Sequence, residues 1–85
     1  MVEGETLSAY VLVVTKVGSE HRVKETVERI MQEMEGEVWV EVKPVFGEYD
    51  LIVIVEAKSI KSLDKLVSRV RMLDDVVKTV TLIAS

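Results

Sequence analysis

Cysteine is absent from the 85 residues, and with it go disulfides, a thiolate nucleophile and any thiolate-based metal site. Asparagine is absent too, while proline and histidine each occur once. With no pair of histidines, nothing has the spacing of a zinc site, so neither a metal nor a cofactor is expected. Four glycines are too few for low complexity, and an apolar content of 48% argues against disorder. The apolar runs Tyr10 to Val14 and Leu51 to Val55 fall far short of the ~20 residues that span a bilayer, and no signal-peptide pattern is present. A cytoplasmic protein away from membranes is the expectation. The net charge of −4 offers no basic stripe for phosphates, which argues against direct DNA binding. Lys58, Lys61, Lys65, Arg69 and Arg71 do gather in one region, and i,i+4 spacing sets Lys61, Lys65 and Arg69 along one helical edge. A solvated face explains them most simply; an anion or partner contact is the sharper alternative.

Eighty-five residues make a single small domain, one that hides only about 60% of its extended surface when folded alone. Residues 1–8 lack periodicity and read as a flexible arm, leaving 9–85 as the folded domain. Ala9 to Thr15 is almost continuously apolar and β-branched, the pattern of a strand covered on both faces. Val17-Gly18 breaks it, and Ser19 is placed to cap a helix with Glu20 in its first turn. In that helix Val23, Val27, Ile30, Met31 and Met34 share one stripe, while Glu20/Lys24, Lys24/Glu28 and Glu25/Arg29 are spaced for ion pairs. Gly36 is the expected stop.

Val38 to Val45 alternates cleanly, with Val38, Val40 and Val42 opposed to Trp39, Glu41 and Lys43. Pro44 cannot donate to a ladder, which sends this strand to an edge or bends its end. After a turn over residues 46–49, Asp50 to Ala57 reads as a third strand. Ser59 suits the cap of a second helix whose apolar face is Ile60, Leu63, Leu66, Val67, Val70 and Leu73, ending at Asp74-Asp75. The last strand, Val76 to Ala84, sets Val76, Lys78, Val80 and Leu82 against Val77, Thr79, Thr81 and Ile83.

The order strand, helix, strand, strand, helix, strand, with right-handed crossovers, predicts an α+β ferredoxin-like βαββαβ fold. It is a four-stranded antiparallel sheet carrying both helices on one face. Strands one and three are nevertheless apolar at both parities: Tyr10, Leu12 and Val14 against Val11 and Val13, then Ile52 and Ile54 against Leu51, Val53 and Val55. A face so rich in Val, Ile and Leu is a patch that monomers avoid exposing, so a homodimer through the sheet is expected.

Enzyme chemistry is thinly represented, and no catalytic residue is expected. His21 could act as a general base in a small α+β barrel enzyme, yet nothing else assembles around it. Lys16-Val17-Gly18-Ser19 is too short for an oxyanion-binding loop. More pointed is Val45-Phe46-Gly47-Glu48-Tyr49-Asp50, which sets a carboxylate at the mouth of an apolar strand. Gly47 can simply supply a positive φ, but Tyr49 and Asp50 exceed what a hairpin needs. Thr79 and Thr81 set two hydroxyls on one face, although threonine is also a good strand former. Together these groups suit a small zwitterion, Asp50 answering an ammonium and turn N–H groups or Thr hydroxyls a carboxylate. A purely structural module without a ligand is the plain alternative.

Gly47-Glu48-Tyr49-Asp50-Leu51, Leu66-Val67 and Val76 leading into Thr79-Val80-Thr81 resemble the effector-binding (RAM) domain of the Lrp/AsnC feast/famine regulators. Tyr10-Val11-Leu12-Val13 and Gly18 are similar as well, so the resemblance runs from Ala9 to Ile83. It implies dimers formed by facing sheets, octamers of four dimers, and amino-acid effectors held between dimers near the Gly-x-Tyr-Asp turn. It assigns ligand contacts to Phe46, Gly47, Glu48, Tyr49, Asp50, Thr79 and Thr81. Asp50 would meet the ammonium or support the turn. Where members often carry a small hydroxyl residue, this chain has Phe46, whose ring would narrow the pocket, favour an apolar or aromatic effector, or fill the site. Family regulators also carry an N-terminal helix-turn-helix, which residues 1–8 cannot supply. The expected role is a stand-alone effector domain that binds an amino acid, co-assembles with full-length regulators, or both.

Overall fold

The structure, a computed structural model, describes residues 6–84. Its elements are β1 (Leu7–Thr15), α1 (Glu20–Glu33), β2 (Val38–Pro44), β3 (Leu51–Ala57), α2 (Ile60–Arg71) and β4 (Val76–Ile83). One sheet of order β2-β3-β1-β4 joins the strands, each antiparallel to its neighbours. This is the predicted ferredoxin-like arrangement, with β2 at an edge as Pro44 requires. Of the arm expected over residues 1–8, residues 1–5 lie outside the described residues, while Leu7 and Ser8 stand in β1 opposite Ala57 and Glu56.

Register explains why one face of the sheet is a core. Ala9, Val11 and Val13 of β1 face Val55, Val53 and Leu51 of β3, and Val38, Val40 and Val42 of β2 face Ala57, Val55 and Val53. All of these side chains are buried, so a single parity from each strand meets the helices. Val23, Val27 and Ile30 of α1 and Leu63, Leu66 and Val70 of α2 close the layer above them. The opposite parity carries Tyr10, Leu12 and Val14, then Ile52 and Ile54, then Val80 and Leu82, and no helix among the described residues covers it.

Several local expectations change in detail. Ser59 caps α2 as expected, accepting from the Ser62 N–H at 3.1 Å. Ser19 does not act this way: its hydroxyl donates to the Lys16 carbonyl at 2.6 Å, tying off the loop instead. The ion pairs found among the described residues are Arg22–Asp75, Lys43–Glu41 and Arg69–Glu33, so long-range contacts replace the expected i,i+4 pairs of α1. Helix α1 ends through two left-handed residues, Glu35 at φ 51° and Gly36 at φ 85°, where only the second was expected. Met31 packs against the core and its sulfur accepts from the Val40 N–H at 3.2 Å, giving edge strand β2 a partner for that group.

The β4 pattern is corrected at its start. Val14 pairs with Lys78 but Thr15 pairs with Val76, so Val77 is an extra residue. This bulge turns Val76 onto the helix-covered face, where it packs against the core rather than lying with Lys78, Val80 and Leu82. Ile60 also leaves its expected place, remaining 60% exposed at the start of α2.

Leu66 is fully buried beneath α2. Its replacement by Ala is expected to cost about 2–5 kcal/mol in urea unfolding, by lost transfer energy and the cavity left behind. Ile60→Ala on the same helix is expected to change stability by no more than about 0.5 kcal/mol.

Candidate functional site

The turn between β2 and β3 is built around Asp50. The Val45 N–H donates to the Asp50 carbonyl at 3.0 Å and closes the loop, while the Asp50 N–H donates to Val13 at 2.8 Å. The carboxylate Oδ2 accepts from the Thr15 N–H at 2.8 Å. Asp50 is half-buried, and its charge is met by a backbone donor at the end of β1 rather than left against the apolar strand. Oδ1 makes no hydrogen bond among the described residues. Between these ties, the backbone N–H groups of Phe46, Gly47, Glu48 and Tyr49 find no intrachain acceptor among the described residues.

Gly47 takes φ 118°, and a Cβ there would meet nothing within 4 Å, so backbone conformation rather than space calls for glycine. Phe46 is fully exposed, so its ring neither fills nor narrows a cavity within its own subunit. Glu48 is exposed and Tyr49 half-buried.

Thr79 and Thr81 lie elsewhere. They pair with Val13 and Val11, which places them on the helix-covered face rather than on the bare one. Both are half-buried, and neither hydroxyl makes a hydrogen bond among the described residues. They border a cavity of about 460 Å³ between α2 and β4, lined also by Val67, Arg71, Val76, Val77 and Lys78. A second cavity of about 390 Å³ continues from it, sharing Val67 and Thr81 and lined further by Ile60, Lys61, Leu63, Asp64 and Ile83. No residue of the 46–50 turn lines either space. A single subunit therefore keeps the turn and the threonine pair apart, at two open surfaces rather than in one enclosed pocket.

His21 is exposed on α1 and makes no side-chain hydrogen bond among the described residues; its neighbour Arg22 pairs with Asp75 at 2.8 Å. No group of three or more His, Asp or Glu side chains converges as a metal site among the described residues. No helix among them is long and apolar enough to cross a membrane. Arg71 borders the larger cavity and was not singled out as a site residue; its only sequence signal was membership of the Lys58–Arg71 basic group.

Residues 8–85 match the family model of the Lrp/AsnC ligand binding domain. Among solved structures, FFRP-DM1 is 36% identical over 93% of this chain and 99% of its own, with a TM-score of 0.77. The Pyrococcus horikoshii protein PHS023 is also 36% identical, over 93% of this chain and 89% of its own, with a TM-score of 0.76. E. coli AsnC aligns with 99% of this chain and 58% of its own at 18% identity and a TM-score of 0.63, which shows a shared fold alone. A search of curated protein sequences gave no significant match.

Because Asp50 Oδ2 holds the end of β1, Asp50→Ala is expected to cost about 1.5–3 kcal/mol in chemical denaturation, the range for hydrogen bonds to charged groups. Asp50→Asn, which keeps an acceptor there, is expected to recover most of that loss.

Proposed function

The chain belongs to the Lrp/AsnC ligand-binding domain family, and on that footing we propose that it takes an amino-acid effector where subunits meet. As a member it is a regulatory ligand-binding module. The finer reading, of which effector and which assembly, rests on what one subunit leaves open.

The bare sheet face is one such surface. Leu12, Val14, Ile52, Ile54 and Val80 occupy it, with Tyr10, Trp39 and Leu82 still 39%, 57% and 52% exposed around them. Glu41, Lys43, Glu56 and Lys78 are the charges on this parity. A second copy applied face to face would bury the apolar residues on both subunits at once, since a two-fold contact uses one patch twice. Each Å² of apolar surface so removed from water contributes roughly 25 cal/mol.

The effector reading is carried by one observation: the Phe46–Tyr49 N–H groups, Asp50 Oδ1 and the Thr79 and Thr81 hydroxyls have no hydrogen-bond partners among the described residues. Turn N–H groups from Phe46 to Tyr49 suit a carboxylate, and the free Oδ1 of Asp50 suits an ammonium. The Thr79 and Thr81 hydroxyls add contacts once a neighbouring subunit brings its turn near them. Dimers would then assemble further, toward octamers of four dimers. Co-assembly with full-length regulators of the family would connect effector binding to transcription, since the net charge of −4 disfavours direct contact with DNA phosphates.

Melting the protein with each standard amino acid tests this. A ligand selective for the folded state must raise the melting temperature. For a domain this small the rise is about 4–8 °C per kcal/mol gained. Thr81→Val is expected to abolish the shift without altering the unliganded melt. No shift with any amino acid sinks the effector reading.

A further inference from the structure

The two cavities between α2 and β4 form one groove with two chemically distinct ends. At the larger end stand Arg71, Thr79 and Thr81; at the other, Ile60, Leu63 and Ile83. Val67 and Thr81 belong to both and join them. Arg71 makes no ion pair or side-chain hydrogen bond among the described residues, whereas Arg22 and Arg69 each hold a carboxylate. Its place in the last turn of α2 suits the helix dipole, and that role leaves its guanidinium donors free. The two hydroxyls beside it are likewise unpartnered among the described residues. No acidic side chain lines the Arg71 end; the nearest acid of the groove, Asp64, borders the apolar end.

From this layout we infer that the α2–β4 groove binds an aliphatic carboxylate that lacks an α-ammonium group. Arg71 and the two hydroxyls hold the carboxylate, and the alkyl tail lies along Val67 toward Leu63 and Ile83. One guanidinium with neutral hydroxyl donors matches a single negative charge in the planar, bidentate manner of a carboxylate. Lys78 does not make the site strongly cationic: its register with Val14 sends its side chain to the other face of β4, so it borders the groove only from the strand edge. Among the described residues of one subunit, an ammonium at the Arg71 end would meet a like charge and no acid. A head group without a tail would leave about 390 Å³ of largely apolar space unused. The proposal rests on the reading above in one respect, that Thr79 and Thr81 touch ligand; it needs neither the turn nor a neighbouring subunit.

Titration calorimetry on the full chain with α-ketoisocaproate tests it, alongside pyruvate (the same head without the tail), isoamylamine (the same tail with a cation) and leucine. Saturable binding of α-ketoisocaproate is expected, with pyruvate and isoamylamine each weaker by about tenfold or more. Arg71→Gln, at an exposed position, and the near-isosteric Thr79→Val are expected to weaken α-ketoisocaproate by about tenfold while leaving the unliganded melt unchanged. Arg22→Gln, outside the groove, is expected to leave the affinity unaltered. Equal binding of isoamylamine, or affinity indifferent to Arg71→Gln, overturns the assignment. If leucine binds the wild type and Arg71→Gln alike while α-ketoisocaproate fails, this inference falls and the turn-based effector site stands. Binding of α-ketoisocaproate with no response to any amino acid upholds the groove and removes the amino-acid reading.

Discussion

Two helices can cover only one face of a four-stranded sheet, and this chain makes both faces of its central strands apolar. On the covered side the solution is internal: Val11 and Val13 of β1 meet Val53 and Leu51 of β3 in register, beneath α1 and α2. On the bare side Tyr10 and Leu12 meet Ile54 and Ile52 in a register just as regular, with no helix or strand above them among the described residues. Hydrophobic burial is non-directional and does not distinguish a helix from a second copy as cover. The strength of the internal core and the demand for an external one thus come from the same two strands.

Two aspartates tie the exit of β1 to the segments beside it, Asp50 through its carboxylate and Asp75 through its backbone carbonyl. Asp50 accepts the Thr15 N–H, and the Asp75 carbonyl accepts the Lys16 N–H at 2.8 Å while its side chain holds Arg22. The last donor of β1 and the one just after it are thereby tied to the turn on one side and to the loop before β4 on the other. Asp50 is a structural clamp through one oxygen, and the other has no partner among the described residues. Among the described residues the fold leaves unconsumed the turn N–H groups, two hydroxyls and one guanidinium, and the proposed ligand contacts fall on these.

The elements were legible because their periodicities are clean. Val38, Val40 and Val42 alternate as a half-buried strand must, and Val23, Val27 and Ile30 recur as a buried helix stripe must. What escaped depends on geometry between elements. Pairing Thr79 with Thr81 on one face needed only a period of two, but choosing the covered face over the bare one required the register with Val13 and Val11. The bulge at Val77 breaks strict alternation, and no glycine or proline marks it. Ser19 chose the Lys16 carbonyl over the helix N-terminus, a local competition that residue type alone leaves open. Arg71 looked like one cation among several until α2 was set beside β4.

The central claim is that the bare face of the sheet is covered by another copy of the chain. Sedimentation equilibrium at micromolar concentration tests it most directly. The account predicts a mass of at least twice the 9.6 kDa of one subunit, falling to that of a single folded chain when Leu12 is replaced by Lys. A wild-type protein that sediments as one folded 9.6 kDa subunit would contradict it.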